Sequence, residues 1–248
     1  MNLLLWTLYI ILALFIGSFL NVAALRIPKN ESIVLPASHC PKCRHPLSVL
    51  DLIPVFSYIG LKGKCRYCGT RISPIYPFGE LLTMVIFILI PFYLGISKEL
   101  IIAYPFLMVM ITVTLSDLHY QIIPNRITYP AIVLMLILRI FIRDYSYWNY
   151  LIGALIGGGL LLIFAVLSRG GMGGGDIKLF VLIGLVLGWQ NTLLALFLST
   201  AVGAVIGGFL LILKVIERKQ LIPFGPFIFI GTVITYFLGN EIWHWYLG

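Results

Sequence analysis

Charge is what this sequence has least of. Of its 248 residues nine are Asp or Glu and seventeen are Lys or Arg, 10 % in all, where a soluble domain carries roughly a quarter. With 60 % hydrophobic residues and a mean hydropathy of +1.05, a water-soluble globular domain is excluded. The polar–apolar alternation of a membrane β-barrel is missing too. The apolar runs are instead about the ~20 residues with which an α-helix crosses ~30 Å of hydrocarbon. Cysteine is absent outside a short stretch from Cys40 to Cys68, and long linkers, repeats and low-complexity segments are lacking. The chain therefore reads as an all-α polytopic membrane protein with one polar insert.

Eight apolar runs can be marked, at about residues 3–25, 78–96, 100–116, 127–141, 150–167, 177–188, 192–213 and 224–245. The first is too long, and lacks the basic start, for a cleaved signal peptide, so it is expected to be a retained span. The net charge of +8 lies in the loops, where basic residues set topology and meet anionic lipid; it does not call for nucleic acid. Placing loop 26–77 in the cytoplasm puts its eight Lys and Arg on the inner side, with Arg126, Arg169, Lys178, Lys214, Arg218 and Lys219. Only Lys98, Arg139 and Arg143 of the seventeen fall outside, a bias that sets both termini outside. The expected division is residues 1–25 as the first transmembrane helix, 26–77 as a cytoplasmic four-cysteine loop and 78–248 as helices two to eight. Gly153-x-x-x-Gly157 and Gly203-x-x-x-Gly207 have the small-residue spacing that lets membrane helices approach closely.

Cys40-Pro41-Lys42-Cys43 and Cys65-Arg66-Tyr67-Cys68 are two C-x-x-C pairs twenty-one residues apart. Each can wrap a tetrahedral ion from one side, and Gly69 after the second pair permits the tight turn of such a knuckle. Four soft ligands suggest a closed structural Zn²⁺ site in a zinc-ribbon-like loop. The alternative, disulfides, needs an oxidising compartment, whereas the charge bias puts this loop in the reducing cytoplasm. His39 and His45 flank the first pair, but four cysteines already complete a coordination shell. Lys62, Lys64, Arg66 and Arg71 are expected to face solvent or phospholipid headgroups.

Two acids stand against apolar sequence. Asp117 ends the third run, and Asp176 follows a stretch with five glycines, Gly170-Gly171-Met172-Gly173-Gly174-Gly175. The sixth run, about twelve residues, covers only ~18 Å. Charge parity still requires it to cross, so the glycines and Asp176 are expected to be recessed below the membrane surface, where irregular backbone is tolerated only under cover of protein or water. Carboxyls at that depth are costly and usually functional. Helix-end capping is the alternative for both, for Asp176 as an N-cap. Two acids a few ångströms apart do not both ionise cheaply, so one holds a proton while the other is charged. That pair can activate water against a peptide carbonyl and protonate the leaving nitrogen. An extended substrate can lie along the bare backbone of Gly173, Gly174 and Gly175. Lys178 beside them, with Pro223 and Gly225 at the rigid start of the last helix, are further candidate substrate contacts. Asn21 and Glu80 are polar groups at inner span ends, with hydrogen bonding inside the bundle as their simplest role.

The ordered set of these features resembles the type IV prepilin leader peptidases of bacteria over nearly the whole chain. It comprises Gly17-Ser18-Phe19-Leu20-Asn21-Val22 with Arg26-Ile27-Pro28, the paired C-x-x-C loop, and 72–77 (ISPIYP) with Glu80-Leu81-Leu82. It continues with Asp117, Ile123-Pro124-Asn125, Gly173-Gly174-Gly175-Asp176 with Lys178, and Pro223-Phe224-Gly225-Pro226. The resemblance implies a membrane aspartic endopeptidase of the G-x-G-D class, with Asp117 and Asp176 as its catalytic pair and Cys40, Cys43, Cys65 and Cys68 as its metal loop. It would cut the short basic leader from prepilin or pseudopilin precursors at the cytoplasmic face of the bacterial inner membrane. It implies as well a methyl transfer from S-adenosylmethionine to the new N-terminus, with Gly63, Lys64 and Glu80 at positions tied to that step; no G-x-G-x-x-G motif supports a methyl-donor site independently.

Two rival readings follow from the residues. In an ion- or proton-coupled transporter the two aspartates would bind Na⁺ or H⁺, but no second glycine-interrupted span stands at a corresponding place. A scaffold that recruits a partner through its cysteine loop would leave the two recessed acids without a purpose.

Overall fold

In the computed structural model, residues 3–168, 173–215 and 222–247 are described; Arg169, Gly170, Gly171, Met172, Arg218 and Lys219 lie outside them. Nine α-helices and two short 3-10 turns account for the regular structure among the described residues, with no strand. Six helices are long and apolar enough to cross a membrane, and the chain is a multi-pass membrane protein. The chain divides into two compact units, residues 1–95 and 96–248.

The first unit pairs α1 (Leu3–Arg26) with α3 (Ile75–Leu94) and carries the polar insert with the short α2 (Phe56–Gly60). Gly17 makes the pairing possible, because a Cβ there would come within 2.8 Å of the Glu80 Cα. The Tyr9 hydroxyl donates to the Phe87 carbonyl (2.6 Å) and the Asn21 amide to that of Tyr76 (2.8 Å). Asn21 is thus satisfied inside the helix pair, as expected of a buried amide. α3 starts three residues ahead of the apolar run, since Pro77 falls in its first turn, where the missing N–H is no loss.

The second unit contains α4 (Leu100–Tyr120), α5 (Asn125–Phe141), α6 (Tyr147–Leu167), α7 (Gly174–Leu187), α8 (Trp189–Ile212) and α9 (Gly225–Leu247). The eight expected runs all appear as helices; α5 and α7, at seventeen and fourteen residues, are the two below full spanning length. α6 and α7 are in backbone contact. A Cβ on Gly153 would lie 2.6 Å from the Gly184 carbonyl oxygen and one on Gly157 2.6 Å from that of Phe180, so small residues set the helix separation. Gly203 and Gly207 act differently, making room for the side chains of Phe227 and Ile222. α7 turns into α8 at the single residue Gly188, whose φ of +76° suits glycine. A Cβ there would collide with the Asn149 side chain, which accepts the Trp189 N–H.

At the other end of α4 lies a polar cluster that the sequence did not announce. Arg139, expected in an outer position, is 2 % exposed in the last turn of α5. Its guanidinium grips both oxygens of Glu99 at 2.8 Å, donates to the Val186 carbonyl and stacks on the Tyr150 ring at 4.4 Å. The Tyr236 hydroxyl donates to Glu99 as well (3.1 Å). Arg139 from α5 and Tyr236 from α9 thus meet the residue that opens α4, while α6 and α7 hold Arg139.

Candidate active site

Asp117 sits inside the last turn of α4, which runs four residues past the apolar run. Gln121, at a φ of +54°, ends the helix by donating its N–H to the Asp117 carbonyl (2.8 Å). Backbone capping and the side chain are therefore separate matters. The carboxylate, in a residue 6 % exposed, accepts the N–H of Gly225 at 2.7 Å. This donor belongs to the first turn of α9, where N–H groups have no partner within the helix. A Cβ on Gly225 would lie 2.7 Å from the same carboxylate oxygen, so only glycine brings this backbone onto the acid.

Asp176 is the third residue of α7. The N-cap is Gly173, and the Asp176 N–H donates to its carbonyl (3.1 Å). The capping role weighed for Asp176 falls to Gly173 because Gly174 and Gly175 are already helical; the residue is 9 % exposed. Gly173 and Gly174 are exposed, and nothing lies within 4 Å of a Cβ built on Gly174. Pro223 is half-buried just ahead of α9.

The loop between α4 and α5 joins the two acids. The Ser116 hydroxyl donates to the Ile122 carbonyl (2.7 Å), folding the loop back on α4. Ile123 then presses on Gly175, where a Cβ would come within 2.7 Å of its own. Lys178 donates to the Asn125 side chain (2.7 Å) and lies 5.0 Å from the Tyr129 ring centre, within cation–π range. Asp176 is thus flanked on α7 by two anchors to the loop that leaves Asp117. Of these contacts, Ser116 and Tyr129 carry no sequence signal of their own. Ile123 and Asn125 were visible only within Ile123-Pro124-Asn125.

In the first unit the four cysteines gather. All four are free thiols with sulfurs within 4.8 Å of one another, and Cys40 and Cys68 are 3.8 Å apart. Ligands at ~2.3 Å around a tetrahedral ion stand ~3.8 Å apart, so the set fits a metal. The two knuckles repeat one pattern. Cys40 N–H donates to His45 and Arg44 N–H to Cys40; Cys65 N–H donates to Thr70 and Gly69 N–H to Cys65. Gly69 has the left-handed φ (+69°) expected of it, and Arg44 takes the matching place at +56°. Thr70, through its hydroxyl and backbone, holds the Cys68 thiol down at about 6. A hydrogen bond from the His45 backbone favours the Cys43 thiolate, yet desolvation and the other sulfurs push that thiol up to about 11. Four cysteine sulfurs so close form a soft donor set of the kind that holds a metal cation. His39 bonds the Ala37 carbonyl and His45 stacks on Tyr67, so neither joins the cluster.

The remaining sequence candidates are close by in that unit. Gly63 has a φ of +67° and packs on Tyr58, where a Cβ would meet the hydroxyl at 3.0 Å; Lys64 is exposed. Glu80, 7 % exposed, accepts the Val55 N–H at 2.7 Å. Val55 has φ +62° and ψ −52°, and the Phe56 N–H reaches back to the Pro54 carbonyl. That is a γ-turn of the rare, strained kind, centred on a β-branched residue and held by a buried carboxylate. Asp51 braces the turn ahead of it. Burial works against its charge, but hydrogen bonds from Arg66 and Ser48 bring the carboxyl down to about 2.

Residues 11–94 match the family described as Bacterial Peptidase A24 N-terminal domain and residues 104–208 the Type IV leader peptidase family. A Bacillus subtilis (strain 168) protein named prepilin leader peptidase/N-methyltransferase is 39 % identical over 96 % of this chain and 96 % of its own length. The chain belongs to the type IV leader peptidase family. Proteins of the same name from Aeromonas salmonicida and Pseudomonas aeruginosa are each 32 % identical, over 98 % and 96 % of this chain and 94 % and 92 % of their own lengths. No solved structure matches. The boundary between the two family matches falls where the chain divides into its two units.

Proposed function

We propose that this leader peptidase family member is an aspartic endopeptidase that uses Asp117 and Asp176 to remove the short basic leader from type IV prepilin or pseudopilin precursors. The observation that carries this is the convergence of two nearly buried acids from separate helices, each fixed by neighbours and each flanked by bare glycine backbone. One carboxylate takes a proton from water as the water attacks the scissile carbonyl; the other, protonated, donates to the carbonyl oxygen and then to the leaving nitrogen. Gly225 holds one oxygen of Asp117 in place. Gly173, Gly174 and Gly175 would receive the substrate backbone through first-turn N–H groups of α7, with Lys178 and Pro223 at the margin. A transporter finds no support: both acids lie at one end of the second unit, and the relatives are named as peptidases.

The basic bias of the loops supports a bacterial inner-membrane location with both termini outside and the insert and acids on the cytoplasmic side. It likewise supports the division into a first span (1–25), a four-cysteine loop (26–77) and a catalytic remainder (78–248). The sulfur geometry and the donor set favour Zn²⁺ held by Cys40, Cys43, Cys65 and Cys68. Elemental analysis of protein purified without chelator should find one zinc per chain, and none in Cys40→Ser/Cys65→Ser protein.

The names of the relatives support a second activity, N-methylation of the new amine, for which S-adenosylmethionine supplies the methyl group when bound. Gly63, Lys64 and Glu80 are the residues we assign to it. The packing of Gly63 on Tyr58 and the hold of Glu80 on Val55 favour an indirect part for these two, keeping the insert in shape.

The deciding experiment compares wild type with Asp117→Asn and Asp176→Asn on a prepilin-like precursor in detergent or vesicles. Each change should abolish leader removal while expression, insertion and thermal stability stay near wild type. Cleavage by either variant would sink the dyad.

A further inference from the structure

The insert of the first unit is polar by composition, yet it presents large apolar side chains to solvent. Val34 and Leu35 are 73 and 71 % exposed, Val49 is 82 %, and Phe56 and Ile59 are 68 and 66 %. A water-facing loop has no use for such a set, whose members are held in place by specific bonds and are not loose ends.

Two of those bonds tie the apolar tips to the ends of membrane helices. The Arg26 guanidinium, in the last residue of α1, donates to the carbonyls of Ser32 (3.0 Å) and Pro36 (2.8 Å), which folds Ile33-Val34-Leu35 back onto that helix end. Glu80, in the second turn of α3, holds the Val55 N–H that starts α2, so Phe56 and Ile59 begin beside α3. Phe78 and Leu81 of α3 are exposed as well. The 3-10 turn Val49–Leu52 packs on α2, and the Arg66–Asp51 pair (2.7 Å) braces it.

We propose that this face of the insert docks into the membrane interface, with Val34, Leu35, Phe56 and Ile59 among the acyl chains and the surrounding basic residues on anionic headgroups. Residues 26–77 hold eight Lys and Arg against two acids, Glu31 and Asp51, and Asp51 is already paired. Lys62 and Lys64, just beyond α2, are exposed. Apolar tips on a basic insert suit an anionic lipid surface, whereas a basic peptide segment would be repelled by the same charge. Docking would also give the strained turn at Val55 a purpose, since Phe56 directly after it is left exposed.

Full-length protein in phosphatidylcholine vesicles, with or without phosphatidylglycerol, tests this. Photoreactive benzoylphenylalanine replaces, one at a time, Val34, Phe56, the lipid-facing Leu8 of α1 as positive control, and the exposed Lys42 of the first knuckle as negative control. Lipid adducts are read by mass spectrometry after illumination. Positions 34 and 56 should give adducts like position 8, at least about fivefold above position 42, and rising with phosphatidylglycerol as surface charge attracts the basic insert. A yield at either position no higher than at 42, indifference to phosphatidylglycerol, or crosslinks that form only to an added precursor peptide would overturn the proposal. The readout needs no cleavage, so Asp117→Asn protein serves equally well.

Discussion

At the scale of single residues, the glycines around the acids do different work, and substitution separates them. Gly225 exists to let backbone reach Asp117; Gly225→Ala would put a methyl 2.7 Å from the carboxylate and push it aside. Because a shift of about 1 Å in a catalytic group can cost on the order of 10²-fold, Gly225→Ala should lose about that much in cleavage rate while the protein stays folded. Gly174→Ala meets open space and should leave stability unchanged. If the substrate lies on the glycine backbone, it will raise KM for the precursor; kinetics that match wild type would remove Gly174 from the substrate path. Both acids stood out in the sequence because carboxyls are rare beside apolar runs. The donor that holds Asp117 did not, since a backbone N–H 108 residues away leaves no mark in side-chain pattern.

At the scale of elements, the position of Asp176 depends on how α7 sits against α6. Their contact is backbone on backbone at Gly153 and Gly184, so a single added methyl has nowhere to go. Gly184→Ala should destabilise the protein by about 1–3 kcal/mol, read as a lower melting temperature in detergent, and reduce cleavage beyond what the loss of folded protein explains. Gly203→Ala, which meets only flexible ring edges, should do much less. The spacing Gly153-x-x-x-Gly157 was legible as a contact motif, but its partner helix was not. Helix boundaries were also missed where glycine or aspartate continued a helix past the apolar run, as at Asp117 and Gly174. Hydropathy marks the stretch that lipid or core demands, whereas hydrogen bonding carries a helix on until a left-handed residue such as Gln121 stops it.

At the scale of the whole molecule, apolar runs made the membrane helices legible and the cysteine spacing made the metal loop legible, while the polar interior of the second unit stayed hidden. Glu99, Arg139, Tyr150 and Tyr236 are spread over 137 residues, and each alone resembles a loop charge or an interfacial aromatic. Removing one partner of a buried ion pair costs about 3–5 kcal/mol. Arg139→Met should therefore lower the melting temperature sharply, and Glu99→Gln added to it should recover part of the loss; strictly additive effects would show that the pair is not coupled. The same end of this unit holds the turn at Gly188, which leaves α7 no slack where it meets α8. That makes α7 a lever with its fulcrum at Gly188 and Asp176 near the tip, ~18 Å away at 1.5 Å per residue. A tilt of only ~5° would swing the carboxylate by ~1.6 Å, so the close packing of α7 on α6 and on Ile123 sets the reach of Asp176 by fixing an angle.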